Sequence, residues 1–428
     1  MNTPQQTHYT IAEVAKQLNV SQKSIRKYIA AEQLHALKVG TTYQIPATAL
    51  NDFLTKESNP TQIPTDLFGE PIVSDSKQNN SKSSTAVNWI DINAEWNETP
   101  ASEMTFVDLF CGAGGLSKGL ELAGLQGICG LDWFAEAGMT YTRNFHHPFV
   151  NGDITQAEVK ERFYDTVKRE LGGRKLNIVA GGFPCQGFSM AGNRIVNDPR
   201  NSLYLELLEI VRQLQPEFVV CENVKGLRSM QGGRVEQKII EDFRSIGYEM
   251  TVTTLSAADY YTPQKRERVI FIGNRIGETN LTPYPLLQSS QYVTTGEAIG
   301  DLINHPEDPA FNHVPTKHRP DMQKRMLECP EGKSLYKGYS DAWKKCPWNE
   351  ASCTIKENHG GVNVHPKLPR VLTAREMARL QSFPDNFIFE GPKNKQLVQI
   401  GNAVPPLLGK AIGLAIRKSM NDSPLNNE

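Results

Sequence analysis

One segment, Leu176-Asn177-Ile178-Val179-Ala180-Gly181-Gly182-Phe183-Pro184-Cys185-Gln186, indicates the fold class of this 428-residue chain. Its apolar first half predicts a buried strand, and the glycines and proline that follow predict a turn at the carboxyl end of that strand. Open α/β sheets place their reactive groups at that end. A single thiol after a strand is more often inert packing, so the importance of Cys185 depends on its neighbours in the chain.

Strand and helix patterns alternate on both sides of this segment, over residues 101–275. The strand candidates are Thr105–Phe110, Gly127–Leu131, Val179–Gly182, Phe218–Cys221 and Val269–Gly273, and helical patterns such as 203–214 lie between them. This alternation predicts an α/β fold with a parallel sheet that helices cover on both faces. Residues 366–428, with an apolar helix at about 405–419, are expected to return to this domain.

A glycine-rich loop, Asp108-Leu109-Phe110-Cys111-Gly112-Ala113-Gly114-Gly115, follows the first of these strands and opens a helix. Glycines at a helix N-terminus let a ligand approach the backbone closely. A dinucleotide site would require a third glycine or an alanine at position 117, where this chain has serine. The loop therefore favours an adenosine ligand that lacks a pyrophosphate.

Three further motifs follow in the chain. They are Glu222-Asn223-Val224, Gln264-Lys265-Arg266-Glu267-Arg268 and Gln399-Ile400-Gly401-Asn402-Ala403-Val404-Pro405. With the glycine loop and Phe183-Pro184-Cys185-Gln186, they make the chain resemble the DNA (cytosine-5)-methyltransferases in order from residue 104 to about 415. The resemblance implies a Rossmann-like, S-adenosylmethionine-dependent methyltransferase sheet, with a smaller target-recognition domain at 276–365.

The resemblance also implies the chemistry. Cys185 is expected to add to C6 of cytosine, because C5 is otherwise too poor a nucleophile to take a methyl group. Glu222 is expected to hydrogen-bond N3 and the exocyclic amine of the base. Arg268 is expected to hold O2, and Arg266 either supports Arg268 or contacts a phosphate. The cytosine must leave the duplex for this reaction, and a loop carrying Ser189 and Arg194 is expected to close over it.

The cofactor that the resemblance implies is S-adenosylmethionine. Phe110 and Trp133 are expected to sandwich the adenine, Asp132 to hold the ribose and Asp153 to accept from the adenine amino group. The other residues expected at this site are Gly112, Gly114, Gly115, Leu203 and Asn402, the last of these at the methionine end. We predict no metal site, because the spacing of Cys346, Cys353, His359 and His365 fits no usual zinc pattern.

Residues 1–55 predict a separate helical unit. Thr10-Ile11-Ala12-Glu13 forms a capping-box pattern, and 34–46 predicts a strand pair that turns at Gly40-Thr41. The unit resembles the winged helix-turn-helix of excisionases and mercury-resistance-type regulators, a fold that places its second helix in the major groove of DNA. The outward-facing basic residues of that helix are Lys23, Arg26 and Lys27. A protein-docking or purely structural helical pair is the alternative interpretation.

Residues 56–100 predict a flexible linker, in which Trp89, Ile90 and Trp96 are expected to dock against the following domain. The net charge of −1 requires any DNA binding to come from local concentrations of positive charge. Seven cysteines, without a Cys-x-x-Cys pair, favour a reducing compartment, and no secretory or membrane-spanning pattern is found. We therefore expect a cytoplasmic enzyme.

The expected partner is double-stranded DNA, with the chain acting as a monomer. A cognate restriction endonuclease, acting independently, is a further expected partner. Two alternatives stay open, an RNA cytosine-5 methyltransferase and a DNA-binding regulator with a degenerate methyltransferase domain. The helix-turn-helix argues against the first, since A-form RNA closes its major groove to helices. The joint presence of Cys185, Glu222 and Arg268 argues against the second.

Overall fold

In the computed structural model, the chain forms two units, Met1–Ser83 and Ser84–Glu428. The residues that the structure describes are 8–11, 13–14, 29, 34–39, 42–49, 87–184, 202–336, 338, 343–356 and 362–421. Within these ranges, no helix has both the length and the apolar character needed to cross a membrane.

The first unit contains a three-stranded antiparallel sheet. Its strands β1 (His8–Thr10), β2 (Leu37–Val39) and β3 (Thr42–Pro46) lie in the order β1-β3-β2. The predicted strand pair is confirmed, and so is the capping box. The Thr10 amide donates to Glu13 Oε2 over 2.7 Å, and the Glu13 amide donates to Thr10 Oγ1 over 3.3 Å. A small core lies beside this sheet, formed by Ile11, Val14, Leu34 and Ile45. Three predicted DNA-binding residues lie outside the described residues, Lys23, Arg26 and Lys27.

The second unit is built on a seven-stranded sheet. The strands of this unit are β4 (Asn88–Ile90), β5 (Thr105–Leu109), β6 (Gln126–Asp132), β7 (Phe149–Asn151), β8 (Ile178–Gly181), β9 (Phe218–Val224), β10 (Glu249–Ser256), β11 (Glu267–Asn274) and β12 (Leu281–Pro283). The order in the large sheet is β10-β11-β9-β8-β5-β6-β7, while β4 and β12 form a parallel pair of their own. All five predicted strands are present, and β7 and β10 are strands that the sequence analysis did not predict.

The predicted parallel arrangement is correct for β5 to β9 and wrong for β11, which runs antiparallel to both β9 and β10. Only residues 257–266 connect β10 to β11, and they contain a single 3₁₀ turn, Ala257–Tyr260. A parallel neighbour would need a longer crossover connection. As a result, β11 begins at the edge of the sheet where β8 and β9 end.

Helices cover both faces of this sheet, as predicted. They are α1 (Asn93–Asn97), α2 (Gly115–Leu122), α3 (Ala135–Asn144), α4 (Ala157–Leu171), α5 (Ser202–Leu214), α6 (Arg234–Ser245), α7 (Thr295–Ile299), α8 (Pro320–Glu328), α9 (Ala374–Leu380), α10 (Lys393–Asn402) and α11 (Pro406–Asn421). Successive strand residues point to opposite faces. Val179 and Val219 therefore join one core with α4, α5 and α6, whereas Ile178 and Phe218 join another with α2 and α11.

Two glycines permit a close contact between α2 and α11. A Cβ atom at Gly119 would collide with the backbone of Pro406 and Gly409. The contact brings the segment that precedes α11 onto the glycine-rich loop, where a Cβ atom at Gly115 would collide with the carbonyl oxygen of Val404. The glycine-rich loop and the segment before α11 are nearly 300 positions apart in the sequence, and they lie together at the carboxyl end of β5.

Residues 88–97, which the sequence analysis assigned to the linker, pack on the second unit. β4 pairs with β12, and Trp96 stacks on Tyr261 with the ring centroids 5.8 Å apart. Lys410 Nζ donates to the Trp96 carbonyl oxygen over 2.6 Å, and Lys418 Nζ lies 2.9 Å from Glu95 Oε1. The expected docking of Trp96 is thus made mainly against α11.

We predict that deleting residues 1–83 leaves the stability of the second unit unchanged, whereas deleting residues 1–100 lowers its free energy of unfolding by about 2–4 kcal/mol. The larger deletion removes β4, Ile92 and Trp96, which pack on the core. Urea unfolding of the two truncated proteins measures the difference. Trp96→Ala in the full chain should reproduce part of the loss. Equal unfolding midpoints for the two truncated proteins would contradict this account.

Candidate active site

The carboxyl ends of β5, β6, β8 and β9 and the start of β11 surround a cleft of about 1640 Å³. The cleft lies where β5 pairs with β6 on one side and with β8 on the other, the point at which open α/β sheets bind ligands. The structure brings ten of the predicted site residues to its walls: Phe110, Gly112, Asp132, Trp133, Asp153, Leu203, Glu222, Arg266, Arg268 and Asn402. Three others lie outside the described residues, Cys185, Ser189 and Arg194.

Asp132 fastens two loops together at the floor of the cleft. Its Oδ2 accepts a 2.8 Å hydrogen bond from the Gly112 amide, and its Oδ1 accepts one of 2.8 Å from the Phe134 amide. Burial raises the pKa of this carboxyl group above its usual value. Gly112 has a positive φ of 53° and open space where a Cβ atom would lie, so the loop presents bare backbone to the cleft.

At Gly114 and Gly115, the missing side chain makes room for neighbouring residues of the protein rather than for a ligand. Gly114 has a positive φ of 89°, and a Cβ atom there would enter the ring of Phe145. A Cβ atom at Gly115 would meet Val404, as described above. The sequence analysis gave all three glycines one purpose, whereas in the structure only Gly112 has open space beside it.

Two aromatic side chains lie on the wall next to this loop. Trp133 is 74% exposed, and Phe110 is half-buried with a positive φ of 55°. A tryptophan this exposed is not a core residue, and an exposed ring in a cleft indicates a binding surface. Asp153 is also exposed, and its Oδ1 accepts from the amide (3.0 Å) and the hydroxyl (2.9 Å) of Thr155. The half-buried Leu203 and the exposed Asn402 complete this end of the cleft.

Glu222 and Arg268 form an ion pair at the other end of the cleft. Glu222 Oε1 lies 2.6 Å from Arg268 Nε, and each side chain is only 13% exposed. The pair forms because β11 runs antiparallel to β9, which sets Arg268 opposite Val224 at the carboxyl end of β9. Gly182 leaves room for the carboxylate, since a Cβ atom there would lie 3.2 Å from Glu222 Oε2. A charge-assisted pair of this kind presents a fixed acceptor and donor to a ligand.

Arg266 lies beneath this pair and is fully buried. Its guanidinium donates to the carbonyl oxygens of Ile355 (3.1 Å), Gly401 (3.2 Å) and Ala403 (3.0 Å). Burial lowers the pKa of the guanidinium, and the charge of Arg268 lowers it further. Carbonyl groups at the end of a helix, here α10, carry partial negative charge that suits a cation. A supporting role for Arg266 fits this position, whereas contact with a phosphate does not.

Residues 104–418 match the model of the C-5 cytosine-specific DNA methylase family. The chain belongs to this family. Two similar proteins are the Type II methyltransferase M1.HphI of Haemophilus parahaemolyticus and M.DdeI of Desulfomicrobium norvegicum. M1.HphI is 36% identical, and the match covers 74% of this chain and 87% of M1.HphI. M.DdeI is 32% identical, and the match covers 72% of this chain and 87% of M.DdeI. Residues 9–58 match a helix-turn-helix domain.

Solved structures agree on the fold. The crystal structure of a DNA modification methyltransferase encoded within an Escherichia coli prophage superimposes with a TM-score of 0.60, at 24% identity, over 75% of this chain and 100% of that one. The predicted α/β methyltransferase fold with an N-terminal helix-turn-helix is therefore confirmed.

The sequence analysis assigned no role to two buried polar residues of this methylase. Asn223 Nδ2 donates to the Phe183 carbonyl oxygen over 2.8 Å, which fixes the chain two residues before Cys185. Asp108 accepts a 2.6 Å hydrogen bond from the Ser117 hydroxyl, and burial raises the pKa of its carboxyl group to about 7. The sequence does contain a signal for Asp108, namely an acidic residue inside the apolar strand β5. A buried charge is costly without a partner, so such a residue is expected to have one.

In the ranges described, no group of three or more His, Cys, Asp and Glu side chains has the geometry of a metal site. His359, one of the four residues considered in the sequence, lies outside those ranges.

Proposed function

We propose that this methylase transfers a methyl group from S-adenosylmethionine to C5 of a flipped-out cytosine in a specific short DNA sequence, through a covalent bond between Cys185 and C6. The observation that carries the proposal is the Glu222–Arg268 pair, which lies in the cleft beside the turn that leads to Cys185. The match to the family and the similarity to Type II methyltransferases support the reaction class.

The pair can recognise one edge of cytosine. A protonated Glu222 can donate to N3 and accept from the exocyclic amine, while Arg268 donates to O2. As the Cys185 thiolate adds to C6, N3 takes up the proton, and C5 gains the electron density to attack a methyl group. C5 then loses its proton to a base, Cys185 leaves with its bonding electrons, and the N3 proton returns to Glu222. Arg266 and Asn223 act as positioning residues, for Arg268 and for the Phe183–Pro184 turn respectively.

The other end of the cleft suits S-adenosylmethionine, which supplies an electrophilic methyl group when bound. The exposed ring of Trp133 and the ring of Phe110 are available to stack on an adenine. Each carboxylate oxygen of Asp132 has a second lone pair for a ribose hydroxyl. We assign Asp153 as the acceptor for the adenine amino group and Asn402 as a contact to the methionine end of the cofactor. Leu203 forms part of the pocket wall, and Gly112 lets the cofactor approach the backbone. Gly114 and Gly115 hold the loop in place from behind.

The rest of the chain supplies DNA recognition in this proposal. Residues 276–365 read the target sequence, and Ser189 and Arg194 close over the extruded base. The helix-turn-helix of residues 1–55 binds a second DNA site through Lys23, Arg26 and Lys27, and residues 56–100 join it to the catalytic domain of 101–275 and 366–428.

We propose that the enzyme acts as a monomer on double-stranded DNA in the cytoplasm. There it is the modification half of a restriction system whose endonuclease acts independently.

We expect Cys185→Ala to abolish methyl transfer while cofactor affinity stays nearly unchanged, because the sulfur reacts only with the base. In the presence of S-adenosylmethionine, the parent enzyme should form a covalent adduct with a duplex containing 5-fluorocytosine, because fluorine replaces the C5 proton whose removal would release Cys185. Denaturing electrophoresis and mass spectrometry detect the adduct, and a duplex with ordinary cytosine is the control. Methylation by Cys185→Ala at a rate near that of the parent enzyme would rule out this nucleophile.

Trp133→Ala should weaken S-adenosylmethionine binding roughly ten-fold by removing the stacking surface for the adenine. Because Trp133 is largely exposed, the fold should be unaffected. Titration calorimetry measures the affinity. Trp89→Ala is the matched control, since Trp89 is also partly exposed but does not line the cleft. The cofactor assignment fails if the two variants bind with equal affinity.

The helix-turn-helix proposal predicts two separable DNA activities. The protein lacking residues 1–83 should methylate the same target sequence with most of its turnover, and it should lose a footprint near its own promoter. Replacing Lys23, Arg26 and Lys27 with alanine should remove the same footprint. A triple alanine variant at the exposed Lys168, Arg169 and Lys175 controls for the loss of positive charge. An unchanged footprint, or a changed target sequence, would show that the unit is not an independent reader.

A further inference from the structure

Two thiols outside the cleft lie in contact. Cys346 Sγ and Cys353 Sγ are 3.8 Å apart, and the residues are seven positions apart in the chain. Cys346 is fully buried in the core with Ile355, Val364 and Leu372, whereas Cys353 is half-buried. Neither residue has a place in the proposed reaction.

The two thiols are chemically unequal. Cys353 Sγ accepts a 3.1 Å hydrogen bond from Asn363 Nδ2. The hydrogen bond from the Cys346 thiol is the main cause that lowers the pKa of Cys353, and the charge of Lys344 and the Asn363 bond lower it further. The same pairing and burial raise the pKa of Cys346. Cys353, the less buried of the two and the acceptor of the Asn363 bond, therefore ionises more readily than Cys346.

The other described cysteines lack this arrangement. Burial raises the pKa of the Cys111, Cys129 and Cys221 thiols, which keeps them protonated. The Cys329 thiol donates to the carbonyl oxygens of Pro330 and Lys333, each 3.6 Å away. Reactive cysteines have a stabilised thiolate and some access to solvent, and within the described ranges Cys353 meets both conditions.

We propose that Cys346 and Cys353 form a thiol-oxidation site that closes to a disulfide in the presence of a peroxide. The Cys353 thiolate attacks one peroxide oxygen, and the O–O bond breaks to give a sulfenic acid and hydroxide. Cys346 then attacks the sulfenic sulfur, its proton and the hydroxyl group leave as water, and the S–S bond forms. Overall, two thiols and one hydrogen peroxide give a disulfide and two waters. Transient disulfides of this kind are the usual type in reducing compartments.

Closure of the disulfide would strain contacts that hold the active site. The Ser352 carbonyl oxygen accepts from the Lys265 amide over 2.8 Å, and the Ile355 carbonyl oxygen accepts from Arg266. Cys353 lies between these two anchoring residues. Forming an S–S bond of about 2.05 Å requires the sulfur atoms to approach by ~1.8 Å. This consequence rests on the proposed function, and it predicts slower methyl transfer by the oxidised enzyme.

The bond itself can be detected without any activity assay. Trypsin releases Cys346–Lys356 as one peptide that contains both cysteines. Peroxide treatment of the full chain, followed by alkylation, should give this peptide two hydrogens lighter and without alkyl groups, and dithiothreitol should restore alkylation at both cysteines. The same peptide must appear in Cys185→Ser, which lacks the proposed nucleophile. Its absence from both proteins, or sulfonic acid at Cys353 alone, would overturn the proposal.

The rate effect is measured against a matched variant. Because peroxide can also oxidise the thiol of Cys185, Cys346→Ser, which keeps Cys185 and cannot close the bond, receives the same treatment. Peroxide should lower the turnover of both proteins, and dithiothreitol should restore the part that is lost through the disulfide. This restored part should be on the order of ten-fold larger in the parent enzyme than in Cys346→Ser, because shifts of about 1 Å in catalytic groups have large effects on rate. If both proteins lose the same activity while the parent shows the disulfide, the coupling to catalysis is refuted.

Discussion

The reversed direction of strand β11 is the constraint on which the active site of this methylase depends. A parallel strand in its place would deliver its last residues to the cleft and its first residues to the opposite edge. Because β11 runs antiparallel to β9, Arg268 enters the sheet beside the carboxyl end of β9 and meets Glu222 at 2.6 Å. The carboxyl ends of the parallel strands β5, β6, β8 and β9 form the crevice, and the reversed strand β11 places Arg268 in it.

Arg266 extends that constraint to the rest of the unit. A buried guanidinium must satisfy its donors within the protein, and here the acceptors are carbonyl oxygens of Ile355, Gly401 and Ala403. Two segments that are far apart in the sequence, one at Ile355 and one at 401–403, are thus fixed to one side chain. Gln264, also buried, adds to this by donating to the Leu380 carbonyl oxygen and accepting from the Ile355 amide. The position of Arg268 is therefore set by the segments around residues 355, 380 and 401–403 as well as by its own strand.

The sequence predicts this molecule well where signals are local or belong to an ordered set of motifs. Strand periodicity located β5, β6, β8, β9 and β11, and the capping-box pattern located the hydrogen bonds between Thr10 and Glu13. The direction of β11 was predicted wrongly, because it depends on the length of the connection between β10 and β11. The hydrogen bonds of Asn223 and Arg266 could also be assigned only from the structure. Their acceptors are backbone carbonyl groups, which residues of every type have, so the sequence does not show where those acceptors lie. Residues Cys185, Ser189 and Arg194 stay predictions, because they lie outside the described residues.

The close contact of α2 with α11 affects how the enzyme is made. The glycine loop at 112–115 leaves the ribosome early, whereas the Val404 carbonyl that packs on Gly115 is added nearly 300 residues later. At usual rates of synthesis, this gap is roughly 15–60 s. Once residues up to 274 have been added, a nascent chain has the strands of the cleft but not the segment against which its glycine loop packs. A translation product that stops within residues 276–365 therefore lacks the side of the cleft that Val404 lines.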